Sequence, residues 1–192
     1  MTTEKDFESI QETVLAELDG LSPFLTYHSR EHTIDVIEQS IRIAMAEGVA
    51  DKNEMLLLKF AALFHDTGFL QTYDHHEARG CEIFLQMTTG VGFSAEEKAI
   101  VSDLIMATKI PQEPKTHLQQ IICDADLDYL GRADFFAIGD TLRKEFLHYK
   151  IVSSNEEWEK MQLKFLKNHQ YHTKSSQQLR EPVKQANYAQ LT

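Results

Sequence analysis

The stretch Asp51–Gly68, DKNEMLLLKFAALFHDTG, decides the fold reading. It opens on Asp51 with Glu54 three residues later, the form of a capping box that starts a helix. From Met55 to Phe64 only Lys59 interrupts the apolar residues. A helix that is apolar on nearly all sides belongs at the centre of a core. The run stops abruptly at His65-Asp66-Thr67-Gly68. An imidazole beside a carboxylate at the end of a buried helix is costly to desolvate. A metal cation compensates both groups at once.

Helical spacing continues on either side. Phe7, Ile10, Val14, Leu15 and Leu18 lie on one face before Asp19-Gly20. A second helix starts near Ser29 and carries Ile34, Val36, Ile37, Ile41 and Ile43 before Gly48. Downstream, His75–Met87 reads as helix, and Ser94 with Glu97 opens another that runs to about Thr108. Pro111 and Pro114 mark a loop, and Leu118–Leu130 is helical until Gly131. Two further helices cover about Asp134–Tyr149 and Asn155–His169, followed by a polar helix or tail. With only 8 Gly and 4 Pro and no sustained strand alternation, the expected fold class is all-α.

Charge narrows the partners. Nineteen Lys and Arg against 30 Asp and Glu give a net −11, so most of the surface repels polyanions. No basic stripe that could release counterions from a nucleic-acid polymer is visible. A small phosphate-bearing ligand stays compatible, because one bound cation reverses the field in a single cleft. Cys81 and Cys123 lack CxxC spacing and read as free thiols rather than a disulfide or zinc knot. Met55–Phe64 is too short to span a bilayer, and the first residues carry no signal-peptide pattern. A cytoplasmic protein without membrane association is expected, and a homodimer is left open.

Four places supply hard or borderline metal ligands: His28 with His32, His65-Asp66, His75-His76-Glu77, and Asp124 with Asp126. Imidazole nitrogen with carboxylate oxygen suits Mn, Co, Ni, Zn, Fe or Mg rather than a thiolate-seeking ion. Each group sits on or beside an apolar helix, so the polar side chains should face a common cavity, as helix-bundle metal sites do.

Tyr27-His28-Ser29-x-x-His32, Leu63-Phe64-His65-Asp66-x-Gly68, His76-Glu77 and Cys123-Asp124-Ala125-Asp126-Leu127 together resemble the HD superfamily of metal-dependent phosphohydrolases. The resemblance covers about residues 25–131. It implies a compact all-α bundle with 25–131 the metal-binding core, while the helical patterning of the flanks makes residues 1–24 a helix packing on that core and 132–192 accessory helices completing the same domain. It also implies hydrolysis of a phosphomonoester or phosphodiester bond in a small molecule, a nucleotide among the candidates. The family's ordered ligands fall on His32, His65, Asp66 and Asp124, with Asp126 as a supporting partner or cap and Asp128 solvated. His28 takes the place of the general acid of the cyclic-nucleotide phosphodiesterase branch, with Ser29 where that branch has Asn. His76 would bring in a second ion. The stretch Ile105–Ile110 holds no further ligand, so one tightly held divalent metal is the expectation.

The chemistry expected is attack by metal-activated water, with Asp66 at the ion and His28 or Glu77 moving the proton. Lys109, Arg132, Arg143 and Lys144 are the cations that could hold phosphate oxygens, Lys109 and Arg143 foremost. Trp158, Phe165 and Leu166 share a helical face and read as core. Two other functions fit the same ligands: a catalytically silent metal- and nucleotide-binding sensor, and a di-iron oxygenase.

Overall fold

The computed structural model describes residues 2–192. Among them are ten α-helices, two short 3-10 turns and no strand. The helices are α1 (Glu4–Leu18), α2 (Arg30–Ala46), α3 (Lys52–Phe64), α4 (His76–Met87), α5 (Ala95–Ala107), α6 (His117–Asp126), α7 (Phe135–His148), α8 (Asn155–Asn168), α9 (Lys174–Leu179) and α10 (Glu181–Leu191). The all-α expectation holds. No helix is long and apolar enough to cross a membrane.

Helix starts follow local capping chemistry. Ser94 with Glu97 and Thr116 with Gln119 form reciprocal boxes, and Asp51 accepts from the backbone of Asn53 and Glu54. Helix α3 is the axis of the larger core. Its residues Phe60–Phe64 are all buried, and α1, α2, α4, α5 and α6 pack around it. Removing a ring such as that of Phe60 should cost on the order of 3–5 kcal/mol, the transfer loss plus the cavity left behind. A second cluster joins Tyr27, Leu127, Tyr129, Leu130, Phe135 and Leu166, which ties α7, α8 and α10 to the rest.

The helix expected over Leu118–Leu130 is split. Helix α6 ends at Asp126, and a 3-10 turn follows over Asp128–Gly131. The Tyr171 hydroxyl donates to the carbonyls of Leu127 and Asp128, at 3.2 and 3.3 Å. The turn swings Asp128 inward, so the residue expected in solvent is fully buried. Arg42 and Arg180 donate to its Oδ1 at 2.6 and 2.8 Å, which compensates a charge that burial alone would make costly.

Gly68 is required by close approach, not by backbone twist. A Cβ built there would sit 1.9 Å from the carbonyl oxygen of His76. The 3-10 turn Thr67–Leu70 that follows α3 therefore touches the start of α4 backbone to backbone, which brings His65-Asp66 against His76-Glu77.

Candidate metal centre and adjoining cavity

The buried ends of α2, α3 and α6 meet at one point. His32 Nε2 and His65 Nε2 lie 3.3 Å apart. Asp66 Oδ2 is 3.1 Å from His65 Nε2 and 3.4 Å from His32 Nε2. Asp126 Oδ1 closes the group from α6, 3.3 Å from His32 Nε2 and 3.7 Å from His65 Nε2. Donor atoms that all lie about 2.0–2.2 Å from one ion are spaced about 3.0–3.5 Å apart, so His32, His65 and Asp66, whose donor atoms lie within 4.8 Å of one another, fit a divalent cation, and Asp126 borders them beside the two imidazoles. Two further observations support that fit. Asp66 Oδ2 is buried and receives no hydrogen bond, which is costly without a counter-charge. The His65 Nδ1–H donates to the Ala62 carbonyl at 2.8 Å, which leaves the Nε2 lone pair aimed at the group.

Electrostatics follow from the crowding. Burial pulls the His65 imidazole down, but the Asp66 carboxylate outweighs it and lifts the pKa to about 9. Burial pushes Asp66 up, yet the positive charge of His65 and His28 holds it well below the usual carboxylate range.

The structure corrects the choice of the last ligand. Asp124, preferred from the sequence, is fully buried on the opposite side of α6. Its carboxylate accepts from the backbone of His172 and Thr173, both at 2.8 Å, and from the Thr173 hydroxyl at 2.6 Å. It anchors the segment that starts α9. Two residues on a helix are about 200° apart, so only one of this pair can face the imidazoles. Asp126 turns toward His32 and His65.

His76 is near but not within the first group. Its Nε2 is 3.6 Å from Asp66 Oδ1 and 3.6 Å from Glu77 Oε1. His76 thus sits between two carboxylates beside the first group. His75 is exposed in a left-handed conformation, φ 57°, and its turn aims His76 inward.

His28 stands beside the cluster, its ring 6.1 Å from that of His32 and 6.0 Å from that of His76. Its Nδ1 lies 2.5 Å from Glu145 Oε1, and Glu145 Oε2 accepts the backbone N–H of Tyr27 and of His28. The Tyr73 hydroxyl donates to Glu145 Oε1 at 3.1 Å. Burial disfavours the His28 cation, but Asp66 and Glu145 overcome it and raise the pKa. Burial likewise pushes Glu145 up, and its hydrogen bonds with His28 more than reverse that. Sequence reading missed Glu145. The available signal was an acid on the stripe of Phe135, Ile138 and Leu142 that α7 turns inward.

A cavity of about 540 Å³ adjoins this site. Asp66, Asp126, His28, His76 and Glu77 form one end, and Tyr73, Lys109 and Ile110 form the side. The far wall is apolar and comes from α7 and α8, through Leu142, Phe146, Trp158, Met161 and Phe165. Trp158, Phe165 and Leu166 therefore border the cavity rather than only filling the core. Of the expected phosphate-binding cations, Lys109 lies on the lining. Arg143 does not: it donates to Asp140 at 3.0 and 2.5 Å and to Asn155 at 2.7 Å. Arg132 is likewise taken up by Asp35 and Asp134, and Lys144 by Asp140. Cys81 and Cys123 are free thiols, as expected.

A family model described as the HD domain matches residues 30–128, a span that includes His32, His65, Asp66 and Asp126. Neither the curated proteins nor the solved structures returned a match.

Proposed function

The chain belongs to the HD domain family, and from that premise we propose that it is a metal-dependent phosphohydrolase acting on a small phosphorylated molecule. The observation that carries this reading is the meeting of His32 Nε2, His65 Nε2 and Asp66 Oδ2 at separations of 3.1–3.4 Å, with Asp126 Oδ1 3.3 and 3.7 Å from the two imidazoles. The same four side chains would hold one divalent cation, with Mn, Co, Ni, Zn, Fe and Mg all compatible. His76 and Glu77, beside Asp66 Oδ1, would hold a weaker second one. When bound, such an ion supplies Lewis acidity, lowering the pKa of water from about 15.7 toward roughly 7 and polarising phosphoryl oxygen.

The chain's own residues supply the proton handling. In hydrolysis a water oxygen forms a bond to phosphorus, and the bond from phosphorus to the alcohol oxygen breaks. The alcohol oxygen takes a proton from His28, and the water's proton passes to Glu77. His28 suits the acid role because Glu145 holds its Nδ1–H and keeps the ring cationic to higher pH. The ring is also stacked on Phe69, with centroids 4.2 Å apart, so it cannot swing freely. Lys109, on the cavity wall, would meet a phosphate oxygen. The acidic surface favours a small substrate over a nucleic-acid polymer.

The test is metal analysis followed by phosphate release from a panel of phosphomonoesters and phosphodiesters with Mn, Co or Ni. Activity on at least one ester is expected, and His65→Ala with Asp66→Ala should remove both metal and activity. Tight metal without turnover of any ester would overturn the reading in favour of a sensor. Oxygen consumption with two irons per chain would favour an oxygenase instead.

A further inference from the structure

We propose, building on the phosphohydrolase reading, that the substrate is a singly phosphorylated ester with a bulky apolar alcohol part. The wall from α7 and α8 would be the subsite for that alcohol. A phosphoryl group fills only a small part of the 540 Å³ beside Asp66 and Asp126. The rest has the size of a pocket for a drug-sized group. What that space offers is chemically one-sided. Leu142, Phe146, Met161 and Phe165 are half-buried and border the cavity, and Trp158 backs them.

Charge argues against a polyphosphate in the same place. Lys109 is the one lysine or arginine on the lining, against the carboxylates of Asp66, Asp74, Glu77 and Asp126. A divalent ion at the metal centre is already offset by Asp66 and Asp126. The nearby cations that could take up extra phosphates, Arg143 and Lys144 on α7, are paired with Asp140. A nucleobase is disfavoured for a different reason. Its polar edge needs several partners, and on the α7–α8 wall the polar groups are the Gln162 amide and the Trp158 indole N–H alone. An alkyl or aryl alcohol needs none.

The test uses the Mn-loaded protein and alkyl phosphates from ethyl to octyl, whose leaving groups have similar basicity, so chain length reports binding rather than chemistry. We expect kcat/KM to rise by at least about 100-fold from ethyl to octyl phosphate, given roughly 3- to 4-fold per buried methylene. Met161→Gln should flatten that octyl-to-ethyl ratio by about tenfold. A second readout needs no turnover. Trp158 is the sole tryptophan of the chain, so octylphosphonate should shift its fluorescence saturably where ethylphosphonate and inorganic phosphate do not. Turnover with a flat chain-length profile, or AMP or ATP preferred over octyl phosphate, overturns the subsite and leaves phosphoester hydrolysis standing. Saturable Trp158 response to octylphosphonate with no ester hydrolysed supports the subsite and removes the hydrolase reading.

Discussion

His28 Nδ1 and Glu145 Oε1 lie 2.5 Å apart, although 117 residues separate them in the chain. The carboxylate fixes the ring's tautomer and raises its pKa, while two backbone N–H groups hold the carboxylate itself.

Glu145→Gln keeps a similar shape but removes the charge. The expected result is a loss in kcat of about 10- to 100-fold, part of the roughly 10²- to 10⁴-fold that general acid catalysis supplies, because His28 itself stays in place. His28 must be protonated to act, so activity falls as pH rises through its pKa. Losing Glu145 lowers that pKa and moves the basic limb of the profile to lower pH. An unchanged basic limb would contradict the assignment. Glu145→Ala should also destabilise the fold by about 1–3 kcal/mol, because the Tyr27 and His28 N–H groups lose their partner.

The two acids at the end of α6 have separable roles. Asp126→Asn should abolish tight metal binding with little effect on the melting temperature of the metal-free protein. Asp124→Asn should retain the metal but lower stability by about 1–3 kcal/mol, since three hydrogen bonds to His172 and Thr173 are disturbed. Titration calorimetry and thermal unfolding on both variants decide the matter. If Asp124→Asn loses the metal while Asp126→Asn keeps it, the assignment is reversed.

Metal-free stability should depend on alkaline pH. His65 titrates near 9 in the folded protein, against about 6.5 unfolded. A raised folded pKa contributes stability that is full below pH 6.5 and lost as pH rises through 9. His28 is raised too and acts in the same direction. Asp66 is lowered, so its contribution is constant above its unfolded value of about 3.9 and does not change in this window. The stability of the metal-free protein should fall by on the order of 3 kcal/mol between pH 6.5 and 9, seen as a falling melting temperature. Metal binding needs neutral imidazole, so affinity should rise over the same interval with proton release. Calorimetry in buffers of different ionisation enthalpy would count the protons, and a flat profile would count against the coupling.

Gly68→Ala should be far more harmful than its size suggests. The added Cβ would meet the His76 carbonyl at 1.9 Å, backbone against backbone. The expected cost is about 1–3 kcal/mol from forced overpacking, with weaker metal binding because α4 must retreat from Asp66. Wild-type unfolding and metal affinity in this variant would show that the contact is not tight.

The helices were largely legible because their signals are local. Ser94 and Glu97, three residues apart, cap the start of α5 by themselves, and the apolar run of α3 can only be buried. Three of the four donors at the metal centre, His32, His65 and Asp66, were also readable, from ligand-type residues on apolar helices. The fourth was not. Asp124 and Asp126 point in opposite directions, and which one faces the ion depends on where Thr173 arrives, 49 residues later. Asp128 was misjudged for a related reason, since its partners Arg42 and Arg180 come from distant parts of the chain. Glu145 and the cavity face of Trp158 share that difficulty: periodicity shows that a face is buried, not what it is buried against.

The distance in sequence between His28 and Glu145 also sets an order of assembly during synthesis. His32, His65, Asp66 and Asp126 leave the ribosome first, and the partner that fixes the acid follows 19 residues after Asp126. At roughly 5–20 residues per second, that interval is about 1–4 s. The apolar wall around Trp158 and Phe165 is made later still. A nascent chain thus carries every donor of its metal centre before it owns either the proton source or the place for the alcohol. On the proposed reading, metal capture would precede catalytic competence in each molecule.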